Sequence, residues 1–155
     1  MKKQFTLGLI LILVTLWSPG LWAQNEKRYS IEMSFSFNGK TVKTALASSS
    51  YSINREVYVE DSSYAPKKYI YYSVTPLKLE KDLLLALKNK KASYDILVTM
   101  TDNYGKEAKK ETLLKKAIIS SISESYSPYN YDYAGSISLG INAESIVLDG
   151  VELLP

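Results

Sequence analysis

With 155 residues, 19 Lys+Arg against 16 Asp+Glu, and neither cysteine nor histidine, the chain excludes most enzyme classes at the outset. No Ser-His-Asp or Cys-His nucleophile system, no Cys/His zinc site, no usual haem ligation and no disulfide can be built from it. At roughly 100–200 residues per domain, the length allows one domain with a core large enough to stand unaided.

Residues 1–23 differ from the rest. Met1-Lys2-Lys3 is a positive start, and Leu7 to Trp17 is an uncharged apolar run of 11 residues. Ser18-Pro19-Gly20 then breaks the run, and Leu21-Trp22-Ala23 precedes Gln24. This is the layout of a secretory signal peptide, and the apolar run falls short of the about 20 residues a membrane-spanning helix needs. Cleavage is expected after Ala23, with Gly20 the alternative, leaving a mature domain over 24–155 in the periplasm or outside the cell. Without the two lysines of the leader, 17 basic side chains face 16 acidic ones, which offers no argument for nucleic acid. All 13 tyrosines stay in the mature chain and suit half-buried strands.

Alternation begins at once. Ile31, Met33, Phe35 and Phe37 share one face of a strand, with Ser30, Glu32, Ser34 and Ser36 on the other. Asn38-Gly39 predicts a type I′ hairpin returning through Thr41 to Leu46. A serine run, Ser48 to Ser50, leads to a third alternating segment from Tyr51 to Val59, and residues 60–68 read as a polar loop. Tyr69 to Val74 is a strand rich in β-branched and aromatic residues.

One helix is expected. Thr75-Pro76 suits its start, Leu79, Leu83, Leu84 and Leu87 form an apolar stripe, and Lys88, Lys90 and Lys91 suit its C-terminal end. Tyr94 to Thr101 alternates again, Asp102-Asn103-Tyr104-Gly105 reads as a turn, and a lysine-rich return strand follows with the character of a charged edge. Ile118 to Tyr126 is a strand, 127–135 a tyrosine-rich loop, and Ile137 to Ile141, Ile146 to Leu148 and Val151 to Leu153 complete the pattern, with Asp149-Gly150 between the last two. Seven or eight strands and one helix, with turn signals every 8–12 residues, predict an all-β barrel or sandwich.

No catalytic, cofactor-binding or metal-binding residues emerge. Neither G-x-G-x-x-G nor G-x-x-x-x-G-K occurs, Asp102-Asn103 lacks calcium-loop spacing, and Glu60-Asp61 reads as solvated charge rather than a catalytic acid pair.

Residues 31–154 resemble the tube-forming subunit of the type VI secretion apparatus, the haemolysin-coregulated protein (Hcp) family, in its Bacteroidota-like branch. The resemblance rests on order and spacing. It opens with Phe37-Asn38-Gly39-Lys40, continues through the stretch Ser50 to Glu56 and a long polar loop, and then reaches the Leu-rich helix. It closes on Ile137-Ser138-Leu139 and Ala143 through Leu153. It implies a small antiparallel β-barrel with a single packed α-helix, no cofactor and no enzymatic activity. It also implies assembly as a hexameric ring that stacks into a tube carrying effectors. The loop expected to reach a neighbouring ring carries Arg55, Glu56, Glu60, Asp61, Lys67 and Lys68. An apparent leader is a departure from the family pattern. It keeps open a second reading, an exported barrel that binds an envelope or glycan partner through Tyr126, Tyr129, Tyr131 and Tyr133.

Overall fold

The computed structural model describes residues 27–54, 69–89, 92–126 and 136–154. The leader, the expected stacking residues Arg55, Glu56, Glu60, Asp61, Lys67 and Lys68, and the Tyr129, Tyr131 and Tyr133 loop lie outside them. Eight strands and one helix are described: β1 (Tyr29–Phe37), β2 (Lys40–Asn54), β3 (Tyr69–Pro76), α1 (Lys81–Leu87), β4 (Tyr94–Asp102), β5 (Lys110–Ser125), β6 (Ser136–Ala143), β7 (Ser145–Leu148) and β8 (Val151–Leu153). The sheet is antiparallel throughout. Its order is β4-β1-β2-β3-β6-β5-β7-β8, and an additional β4–β5 pairing closes six strands into a barrel. The expected all-β architecture with one helix is present.

Both two-residue turns follow from their sequences. Asn38 and Gly39 take φ of 50° and 73° between the paired Phe37 and Lys40. Asp149 and Gly150 take 47° and 88° between Leu148 and Val151. Those left-handed values match the twist of the flanking strands and are accessible to Asn, Asp and Gly at small steric cost.

The barrel interior is apolar and closed: Met33, Ile70, Ile96, Leu114, Leu139, Ile141 and Ile146 are fully buried. Each sits at an alternating position, so one face of every strand supplies the core. Phe35 packs on Tyr94 with ring centroids 5.0 Å apart, and the Tyr94 hydroxyl donates to the Ala86 carbonyl at 3.2 Å, pinning α1 to the barrel.

Three sequence expectations are corrected. The helix does not begin at Pro76, which is the last residue of β3 and pairs with Leu46; a strand end tolerates proline because little of the ladder is lost there. Helix α1 has only seven residues, capped by the Glu80 backbone, and buries Leu83 and Ala86 while Leu84 stays exposed. So short a helix is held by packing rather than propensity. The serine run does not lead into a new strand: Ser48 to Ser50 continue β2 past a bulge after Leu46. Finally, the lysine-rich return strand is not an edge. It is the first half of the 16-residue β5, paired with β4 on one side and β7 on the other.

Candidate assembly surface

The two longest strands each change partners midway. The first half of β2 pairs with β1 through Leu46, and its second half, Ser48 to Asn54, pairs only with β3 among the described residues. The first half of β5 pairs with β4 through Ala117, whereas among the described residues Ile118 to Ser125 pair only with β6. The four segments therefore form one open sheet, β2-β3-β6-β5, projecting past the closed barrel. Each outer strand of that sheet presents an unpaired backbone edge among the described residues.

Charge changes at the same two points. Lys40 and Lys43 stand on the first half of β2, and Lys110, Glu111, Lys115 and Lys116 on the first half of β5. Across Ser48–Asn54, Tyr69–Pro76, Ile118–Ser125 and Ser136–Ala143, Glu124 is the single charged residue. Natural edge strands are commonly blunted by lysines, prolines or bulges, because a bare edge invites another strand. Where these two edges lack a partner they carry no lysine, although β5 carries Glu124 and a bulge between Ile119 and Ser121.

Apolar side chains flank both edges. Tyr51 on β2 is 48% exposed and stacks on Tyr72 at 6.2 Å. Along β5, Ile118 and Ile122 are exposed and border a cleft of about 470 Å³ that Ile119 and Leu87 also line. Behind the β2 edge, burial pushes the Tyr72 hydroxyl pKa up, opposed by hydrogen bonds with Ser49 and Thr112.

Electrostatic posts sit away from the open sheet. The Asp102 carboxylate, its side chain 1% exposed, accepts backbone N–H bonds from Tyr104 (3.1 Å), Lys106 (3.0 Å) and Glu107 (3.0 Å). Burial alone would raise its pKa, but these three bonds and Arg28 outweigh burial and lower it. Arg28 and Tyr29 both reach Glu107, and the Asn103 amide donates to the Lys27 carbonyl, so the start of β1 is riveted to the β4–β5 connection. At the opposite side of β5, Glu152 accepts from Ser145 at 2.6 Å and from Lys115 at 3.0 Å, which lowers its pKa and ties β8 across β7 to β5. Among the described residues no three acidic side chains cluster as metal ligands, and no helix is long and apolar enough to cross a membrane.

The expected stacking residues lie outside the described residues. The edges themselves were missed by sequence reading. The signal that could have found them is the abrupt loss of charge halfway along β2 and β5.

A closed antiparallel barrel, one packed helix and a projecting four-stranded sheet together define an Hcp-like barrel. The sequence matches no family model, and no curated protein sequence matches it. Solved structures do. Hcp1 from Flavobacterium johnsoniae is 17% identical with a TM-score of 0.58, over 79% of this chain and 98% of that one. Hcp1 from Salmonella typhimurium is 11% identical with a TM-score of 0.55, over 82% and 92%. The tube-terminating cap of the anti-feeding prophage is 14% identical with a TM-score of 0.53, over 80% and 89%. At these identities the likeness establishes the fold, and it is the fold that the resemblance in sequence implied.

Proposed function

We propose that this chain is a non-catalytic structural protein that associates head to tail into a ring. Six copies and stacking into an effector-carrying tube follow from the resemblance. The observation that carries the reading is the pair of edges on one open sheet that are unpaired among the described residues and carry Glu124 as their single charge. Strands β2 and β6 run one way and β3 and β5 the other. The β5 edge of one copy beside the β2 edge of the next therefore continues an antiparallel sheet without reversal. The two edges differ, so the contact is heterologous, and a heterologous contact closes as a ring or runs on as a filament. Tyr51 of one copy would then meet the Ile122 flank of its neighbour on the same face of the sheet, removing apolar surface that a lone copy leaves in water.

Ring-to-ring register is assigned to Arg55, Glu56, Glu60, Asp61, Lys67 and Lys68, in the segment joining β2 to β3. Each exposed pair adds only about 0–1 kcal/mol, multiplied by repetition around a ring. Residues 1–23 are proposed as a cleaved leader delivering residues 24–155 to the periplasm or beyond. Mass spectrometry of the mature N-terminus checks this.

The test of assembly is sedimentation and electron microscopy of residues 24–155, with Ile122→Lys as comparison. Rings of the unsubstituted chain, and a folded monomer for Ile122→Lys, are expected. An unsubstituted chain that stays monomeric at high concentration sinks the reading and leaves the exported binding module in its place.

A further inference from the structure

Two charges bracket the open sheet without an opposite charge in their own copy. Glu124 stands near the end of β5, where it accepts a hydrogen bond from the Tyr126 hydroxyl and forms no ion pair among the described residues. Lys110, at the start of β5, forms none among them either. It lines a cleft of about 240 Å³ beside the β2 edge with Ser49, Tyr51, Tyr72, Met100 and Thr112, and its ammonium is the one charge among the described lining residues. Both side chains stand on the covered side of their strands. Ser49 and Tyr51 pair with the buried Val74 and Tyr72, and Ile122, two residues before Glu124, pairs with the buried Leu139. Lys110 alternates with Thr112 and the buried Leu114 on one side of β5.

We infer that the Glu124 carboxylate of one copy enters this cleft on the next copy and pairs with Lys110, and that this pair fixes the register and the direction of the junction. The inference rests on the head-to-tail reading above. In an antiparallel junction that sets Ile122 against Tyr51, Glu124 falls directly opposite Ser49, a wall of the cleft that holds Lys110. A slip of one residue turns the two apolar flanks to opposite faces. A slip of two keeps the faces but sets Glu124 on the Tyr51 ring, or Ile122 on Ser49, and the pair is lost. Symmetric contacts lose it as well: two β5 edges bring Glu124 toward Glu124, and two β2 edges bring Lys110 toward Lys110. An ion pair at a rim adds little affinity, but like charges brought together oppose the wrong partner, so the pair acts mainly on which junction forms.

The experiment uses residues 24–155 with Lys110→Glu, with Glu124→Lys and with both. Association is followed by sedimentation at about 0.01 M salt, where charges act over about 30 Å. Each single variant sets like charges against each other at every junction and should associate at least about tenfold more weakly than the unsubstituted chain. An equimolar mixture of the two should recover to within about threefold of the unsubstituted chain, because alternating copies then meet opposite charges at every junction. The double variant should assemble by itself and, mixed with isotopically labelled unsubstituted chain, sort into separate rings in native mass spectrometry. Single variants that assemble like the unsubstituted chain, a mixture no better than either variant, or free mixing of the double variant with the unsubstituted chain would each overturn the inference. Lys110→Gln and Glu124→Gln give a milder check, in which the two losses should be non-additive by about twofold or more; additive losses overturn the pairing. Absence of rings from the unsubstituted chain refutes the parent reading, whereas rings indifferent to the charge exchange refute the pair alone.

Discussion

Lys116 and Glu144 meet at 2.8 Å across a double kink. Lys116 holds φ of 47° at the bulge where β5 passes Asp95, and Glu144 interrupts the long strand that would otherwise join β6 to β7. Two neighbouring strands thus bend at one level, where β5 exchanges β4 for an open edge. The Lys116 N–H is satisfied by the Asp95 carboxylate at 2.9 Å, and the Glu144 N–H by the Lys115 carbonyl at 3.2 Å, so the kink leaves neither donor orphaned. The hydrogen bond to Glu144, then its charge, raise the Lys116 pKa.

A left-handed residue at a bulge is a backbone requirement before it is a charge requirement. Lys116→Gly is expected to keep the bulge, whereas Lys116→Val forces a β-branched side chain into the same φ at a cost of about 1–2 kcal/mol relative to glycine. Denaturant unfolding of the two variants checks the order. Equal midpoints would mean that the bulge relaxes away.

Asp102 makes stability depend on acid. Its folded pKa is below the unfolded one, so its stabilisation is complete above the ordinary aspartate value of about 3.9 and is lost as pH falls through the depressed folded value. Asp102→Asn should therefore lower Tm at pH 7, and the gap to the parent protein should narrow as pH falls below about 4. A gap independent of pH would mean that the carboxylate acts by shape alone.

Thr44 faces the core between Val42 and Leu46, 2% exposed, and its hydroxyl has no hydrogen-bond partner among the described residues. Valine has nearly the same shape without the stranded polar atom. Thr44→Val is expected to stabilise by about 1 kcal/mol, the lower end of the cost of an unsatisfied buried group. Urea unfolding at constant m-value measures it, and a destabilised variant would point to a buried water bonded to the hydroxyl.

Edge pairing driven by backbone hydrogen bonds and apolar flanks has little to lose by screening. Assembly of residues 24–155 should hold its midpoint concentration within about threefold from low to high salt, because Glu124 is the single charge on the four open-sheet segments. Tyr51→Ala should weaken association by about tenfold or more, through loss of apolar contact at the junction. Light scattering across a concentration series reads both. Rings that dissolve in salt would place the assembly charges elsewhere.

Period-two alternation and turn chemistry determined the strand content, the inward set from Met33 to Ile146 and both tight turns. Those signals are local: a face is read from i and i+2, and Asn38-Gly39 or Asp149-Gly150 carries its own left-handed preference. The tertiary structure alone decided that β2 and β5 run unbroken past Ser48 and Lys116, that Pro76 ends a strand rather than starting a helix, and that two edges, with Glu124 their single charge, are left unpaired among the described residues. Pairing partners come from distant parts of the chain, and a residue's own pattern does not reveal which neighbour its backbone finds or where that neighbour stops. The serines after Leu46 read as a connection until β3 lay beside them, because a small polar side chain suits a loop and the bare face of a sheet equally well.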